Sequence, residues 1–119
     1  MQKRFARIRD IAATMREALE RADWLEVGRQ IAAEWENRKG LAPGVTTPEI
    51  DGILAAAAKA GAFGGKVCGA GGGGCLFALG DPERVPAIRE AIRSAGGRLL
   101  DCTIELEGLR VETNVDLPA

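Results

Sequence analysis

Residues Gly64–Pro82 read GGKVCGAGGGGCLFALGDP, with seven glycines in the eleven positions from Gly64 to Gly74. Glycine loses more conformational entropy on folding than any other residue, so such a run weakens a chain unless its backbone must take positive φ or lie close against something. The flanking runs, Lys66–Cys68 and Cys75–Leu79, are short and β-prone, and Asp81-Pro82 is a helix-start signal. The stretch therefore predicts strand, glycine loop, strand, helix. The common phosphate loops do not share that order. Gly69, Gly71 and Gly74 spell G-x-G-x-x-G, but a dinucleotide fingerprint opens a helix, whereas here a strand stopped by Gly80 and Pro82 follows. A Walker A loop needs Ser or Thr after Gly65-Lys66, where Val67 stands, and its first glycine falls on Ala60. The protein-kinase loop places valine where this chain has Leu76.

Upstream of the loop the spacing predicts three helices. Phe5, Ile8, Ala12, Met15, Leu19 and Ala22 recur at steps of three and four, one apolar stripe on a helix ending near Ala22. Asp23 with Glu26 three positions on reads as a capping box for a second helix, its inner face formed by Trp24, Gly28, Ile31 and Trp35 and its end set by Gly40 and Pro43. So short a connection predicts antiparallel packing. Thr47 then caps a third helix, with Pro48 at its first position and Glu49 and Asp51 in its first turn. Downstream, Val85, Ile88, Ile92 and Ala95 form the inner face of a fourth helix ended by Gly96-Gly97.

The run RLLDCTIELEGLRVE, residues 98–112, alternates: Leu100, Cys102, Ile104 and Leu106 on one side, Asp101, Thr103, Glu105 and Glu107 on the other. It predicts a strand with one wet face, and Gly108 is expected to turn it into a short partner strand through Leu109 and Val111. The tail from Thr113 is expected to fray. The predicted class is α+β, a small, mostly antiparallel sheet backed by helices.

With 119 residues the chain suits one domain, burying roughly 65% of its unfolded surface. Sixteen Lys and Arg against seventeen Asp and Glu leave a formal charge of -1, which favours neither nucleic acid nor an acidic membrane as partner. No apolar run approaches the ~20 residues of a membrane span, and MQKRFARIRD places charges where a signal peptide has its apolar core. The expected location is the cytoplasm. Cys68, Cys75 and Cys102 form no C-x-x-C pair, and with no histidine no zinc site, and no metal site, is expected; they read as buried free thiols.

The stretch GGKVCGAGGGGCLFAL resembles the third signature motif of the GHMP small-molecule kinases, the family of galactokinase, homoserine kinase, mevalonate kinase and phosphomevalonate kinase. The preceding WENRKGLAPGVTTPEIDGILAAAAKAGAFGGK is similar to that family's C-terminal domain, above all in its heptose-phosphate kinase branch. The likeness runs from about Phe5 to Val111 and implies a ferredoxin-like α+β domain. GHMP kinases carry an N-terminal domain with a loop of the type P-x-x-x-G-L-x-S-S-A and usually the catalytic aspartate; this chain has one serine, Ser94, and no such motif. The resemblance thus implies a C-terminal half, inactive alone and itself carrying no catalytic residue. It would work with an N-terminal kinase domain in the same or a separate chain, with ATP and Mg2+ bound in the complete enzyme rather than tightly by this chain, and with a sugar or sugar phosphate as acceptor. Self-association through an exposed domain interface stays open. So does a free-standing anion-binding or protein-interaction module on the same scaffold, since one fold hosts many functions.

In that family the third-motif loop lines the cleft near the phosphates, which assigns Gly69, Ala70, Gly71, Gly72, Gly73 and Gly74 to a phosphate and substrate cleft. The assignment is physically sound, because successive backbone N–H groups in a turn converge on an anion where side chains would block approach. Lys66 is a candidate substrate contact, against the alternative of a solvated strand lysine. Arg38, with Lys39, and the Thr46-Thr47 loop are further candidates, against the alternative that a basic pair at a helix end opposes the helix dipole. Trp24 and Trp35 read as core or domain interface and not as a sugar-stacking platform, and Phe63 and Phe77 fit either core or interface. A chain opening directly in a packed helix is also expected to be part of something longer.

Overall fold

A computed structural model describes residues 2–113. Three helices come first: α1 (Gln2–Glu20), α2 (Trp24–Lys39) and α3 (Pro48–Lys59). The hairpin β1 (Gly64–Val67) and β2 (Leu76–Leu79) follows, then a 3-10 turn at Pro82–Arg84 and α4 (Val85–Ser94). The class is α+β, with an antiparallel sheet backed by helices.

The helix limits follow from local chemistry. Asp23 accepts a hydrogen bond from the Glu26 N–H at 3.2 Å and starts α2; Thr47 does the same for Ile50 at 3.2 Å and starts α3, with Pro48 behind it. Ala22, at φ +54°, makes the reversal between α1 and α2. At the far ends Arg4 and Asn37 exchange hydrogen bonds, Nη1 to the Asn37 carbonyl at 2.9 Å and Nδ2 to the Arg4 carbonyl at 2.8 Å, so the two helices run antiparallel.

The sheet register is Gly64↔Leu79, Gly65↔Ala78, Lys66↔Phe77 and Val67↔Leu76. Side chains alternate across a strand, and the hairpin uses both of its rows. Leu79 packs against Ala18, Val27 and Ile31 of α1 and α2. Val67 and Leu76, from the other row, pack with Trp35, Ile50, Leu54 and Val45. Gly64 is what lets α2 lie on β1, since a methyl group there would overlap the Gly28 carbonyl oxygen.

Several expectations are corrected. The buried positions of α1 are Ile11 and Ala18, not Ala12 and Leu19, and Phe5 and Leu19 face solvent. Ile8 is half-buried and Met15 packs against the Ala18, Val27 and Ile31 cluster as predicted, so the inward stripe runs Ile8, Ile11, Met15 and Ala18 and departs from the predicted one at Phe5, Ala12 and Leu19. Trp24 is 50% exposed whereas Trp35 is 4% exposed, because position 24 starts α2 before the helix meets the rest of the core. In α4 only Ile88 is buried, and Val85 is exposed. All three cysteines are exposed rather than buried, since Cys68 and Cys75 lie just past the hairpin's ends and Cys102 lies on the C-terminal run.

Residues 98–107 form no strand, and neither do Leu109–Val111. Ile104 is 87% and Leu109 92% exposed. Alternation supplies a face, but a strand also needs a neighbouring backbone to receive its hydrogen bonds, and among the described residues this run has none. Of the tail expected to fray from Thr113, Thr113 itself is exposed and in no helix or strand, and residues 114–119 lie outside the described ones. No helix of the described residues is long and apolar enough to cross a membrane.

Candidate functional site

The hairpin register carries on past the strands. Cys68 N–H donates to the Cys75 carbonyl at 2.8 Å, which closes a neck below the loop Gly69–Gly74. Within the loop Gly69, Gly71, Gly72 and Gly74 have φ of +76°, +93°, +80° and +84°, the left-handed region that side-chain-bearing residues enter at a cost. One contact docks the loop onto the body of the domain: Gly72 N–H donates to the Val45 carbonyl at 2.7 Å. Beside it Gly71 is required for close approach, since a Cβ there would stand 2.5 Å from the Val45 oxygen and 2.9 Å from its Cγ1. Among the described residues the N–H groups of Gly69, Gly71, Gly73 and Gly74 donate to no backbone carbonyl. They are donors without a backbone partner on a largely exposed turn, and successive free backbone N–H groups in a turn are the chemistry that receives an anion.

The Val45 segment is itself held in place. Thr46 Oγ1 donates to Asp51 Oδ1 at 2.6 Å, and Thr47 caps α3 one residue further on. Both threonines predicted as substrate contacts therefore have structural partners, and they set the position of the carbonyl that docks the loop.

Lys66 and Arg38 converge on a residue the sequence reading did not single out. Glu34, on α2 and 6% exposed, receives Arg38 Nε at 2.6 Å on Oε1. Its Oε2 lies 2.5 Å from Lys66 Nζ, a close ion pair without the alignment of a directed hydrogen bond. Burial alone raises the Glu34 carboxyl, but the Arg38 hydrogen bond and the adjoining Lys66 ammonium outweigh it and hold the group below the usual carboxylate range. Lys66 is accordingly neither a solvated strand lysine nor a free cation, and Arg38 is tied to Glu34 rather than acting on the helix dipole alone. Lys39 pairs with Glu36 at 2.7 Å. The sequence signal for Glu34 is its i,i+4 spacing from Arg38; its pairing with Lys66 links residues far apart in the chain and has no sequence pattern.

A separate cavity of about 340 Å³ opens between α2 and α3, lined by Trp35, Lys39, Asp51, Leu54, Phe63 and Gly65 among others. The glycine loop does not line it, so the anion-accepting turn and the apolar cavity are two distinct features.

Residues 15–98 match the family described as GHMP kinases C terminal. Over 69 residues, 58% of the chain, the sequence is 45% identical to a mevalonate kinase of Thermococcus sibiricus, covering 20% of that protein. Over 103 residues, 87% of the chain, it is 32% identical to the D-glycero-alpha-D-manno-heptose 7-phosphate kinase of Campylobacter jejuni, covering 30% of it. The crystal structure of L. major mevalonate kinase in complex with R-mevalonate superposes with a TM-score of 0.66 at 25% identity, over 76% of this chain and 28% of that one. The matched stretches thus span between about a fifth and about 30% of the length of these relatives.

Proposed function

Since the chain belongs to the GHMP kinases, matching their C-terminal domain, we propose that it serves an ATP-dependent small-molecule kinase by lining the phosphate end of the cleft with the loop Gly69–Gly74. The N-terminal kinase domain, in the same or a separate chain, would bring the nucleotide and the catalytic group. The observation that carries this reading is the loop's state: left-handed glycines, N–H donors without a backbone partner, and a single anchor from Gly72 to the Val45 carbonyl. Phosphoryl transfer asks little covalent chemistry of a protein. It asks for positioning and for stabilisation of negative charge spread over oxygens, which fixed backbone donors supply.

Among the described residues no three of His, Cys, Asp and Glu gather as a metal site. In this reading ATP and Mg2+ are bound in the complete enzyme, and the loop's backbone N–H groups, which offer hydrogens rather than oxygens, serve the phosphate and not the cation. The acceptor in this reading is a sugar or sugar phosphate. Its support is the alignment with the heptose 7-phosphate kinase, which extends over 87% of the chain against 58% for the mevalonate kinase.

The test replaces Gly72 and Gly73 by valine in the complete enzyme. At Gly73 a side chain meets open space, whereas at Gly72 it sits on a left-handed backbone with its Cβ 3.1 Å from the Gly44 carbonyl oxygen and strains the loop at its Val45 anchor. Turnover is expected to fall by about 100-fold, the order that misplacement at a reacting centre costs, while circular dichroism keeps the helical signal of the domain. Unchanged turnover would return the loop to a mere β-turn. Assaying the wild-type enzyme on heptose 7-phosphate, galactose and mevalonate decides the acceptor, and activity on mevalonate alone would overturn the sugar assignment.

A further inference from the structure

The neck of the glycine loop holds a pair of cysteines that the kinase reading leaves unused. The strand register extended by one step puts Cys68 opposite Cys75, and the 2.8 Å bond from Cys68 N–H to the Cys75 carbonyl fixes them as a directly opposed pair. Opposed residues of an antiparallel pair project their side chains to the same face. Hydrogen-bonded pairs have Cα atoms about 5.5 Å apart, within the roughly 4.4–6.8 Å that a disulfide spans. Their Cβ atoms stand at the wide end of about 4.5–5.5 Å, against the roughly 3.5–4.5 Å a disulfide takes. The bridge therefore forms only as the neck draws in by about 1 Å and is a strained, readily reduced one. Both thiols are free and both are exposed, so oxidants reach them. The six residues between them include five glycines, which leaves the neck room to adjust to the geometry of a bridge.

We propose that Cys68 and Cys75 are a reversible redox pair, closing to a cross-strand disulfide at the neck of the glycine loop by exchange with a small-molecule disulfide of the oxidised-glutathione class. One thiolate attacks a sulfur of the oxidant, forming a mixed disulfide and releasing one glutathione thiol. The second thiolate attacks the protein-side sulfur, closes the Sγ–Sγ bond and releases the other. Two electrons pass from the protein to the oxidant, and the two protons leaving the cysteines end on the released thiols. The bridge ties the two ends of Gly69–Gly74 together and removes the freedom with which the loop shapes itself to a phosphate. This consequence rests on the loop's proposed role in the kinase; the bridge itself does not.

The first arm uses the 119-residue chain carrying Cys102→Ser, a change at an exposed position outside the core. It is incubated with oxidised glutathione, alkylated, digested and mapped by mass spectrometry. The expected product is a Cys68–Cys75 linked peptide, about 2 Da lighter for the two hydrogens lost, protected from alkylation and restored by dithiothreitol. Two alkylated cysteines, two stable glutathione adducts, or bridges only between chains would each overturn the pair. In the second arm, turnover of the complete enzyme is measured reduced, oxidised and re-reduced, with a tenfold or greater loss on oxidation expected, recovery on reduction, and no sensitivity in Cys68→Ser. A mapped bridge with undiminished turnover would overturn the switch, whereas an enzyme inactive even when reduced would overturn the kinase reading and leave the mapping to judge the disulfide.

Discussion

The hairpin and the C-terminal run make opposite use of β-patterned sequence. Strand β1 is GGKV, half of it glycine, yet it is a strand; residues 98–107 alternate apolar and polar almost without fault, yet they are not. The difference lies in what each segment meets. β1 exchanges hydrogen bonds with β2, lies against α2 at Gly28 and Gly64, buries Val67 and seats Lys66 on a buried carboxylate. The C-terminal run meets none of this: its ion pairs are Arg89–Asp101 and Arg110–Glu107, each at 3.5 Å, and Arg110–Glu112 at 3.9 Å, all largely in solvent, where such pairs contribute little. Alternation is a condition for a strand, and partners decide whether it forms.

The hairpin side of this comparison breaks most sharply at Gly71. Valine there combines a left-handed backbone at φ +93° with a Cβ 2.5 Å from the Val45 carbonyl. Backbone strain of about 1–3 kcal/mol and overpacking of similar size predict a loss of about 3–5 kcal/mol in urea denaturation. The loop should also detach from Val45, seen as faster amide exchange at Gly72. A stability within experimental error of wild type would show that the loop has no fixed docking.

How much of this was legible beforehand depends on the range of the interactions involved. The caps of α2 and α3 and the strand–loop–strand order of Gly64–Leu79 were readable because Asp23, Thr47-Pro48 and the glycines act on neighbours within a few residues. The α1 stripe was legible at Ile8 and Met15 and misread at Ala12 and Leu19, since helical spacing admits Ile11 or Ala12, and Ala18 or Leu19, between the same neighbours and only packing against α2 decides. Exposure of the cysteines was missed for a related reason, because apolar neighbours in sequence say nothing of what covers a thiol in space. At the candidate site the glycines were visible but their anchor was not, since the Val45 carbonyl is a backbone group that any residue would carry. Glu34 resembled the other carboxylates of an amphipathic helix until Lys66 arrived from β1.

That ion pair gives the next largest effect, and a pH signature with it. Glu34→Gln leaves Lys66 and Arg38 without their common carboxylate in a part-buried setting, which predicts a loss of about 2–3 kcal/mol at neutral pH, somewhat below the cost of breaking a fully buried pair. The folded-state pKa of Glu34 is lowered, so its contribution is complete above the unfolded carboxylate value and is lost as pH falls through the lower folded one. The stability gap between wild type and Glu34→Gln should therefore be constant near neutrality and close as the pH drops below about 4.3. Urea midpoints at a series of pH values measure it. A gap that widens in acid would contradict the assignment of a charged, stabilising Glu34.

The smallest effect is expected where the sequence pattern is cleanest. Ile104→Ser with Leu106→Ser removes two side chains of the predicted strand face that are 87% and 90% exposed. Substitutions that touch nothing change stability by no more than about 0.5 kcal/mol. Val67→Ala, at a position 1% exposed in the hairpin, serves as the matched control and should cost about 2 kcal/mol through lost burial and a small cavity. If the double serine variant of the chain loses as much as Val67→Ala, residues 98–107 pack as the strand their alternation predicts. If the double variant is indistinguishable from wild type in this chain but destabilises a longer protein that contains it, the partner backbone of the run comes from residues this chain does not span.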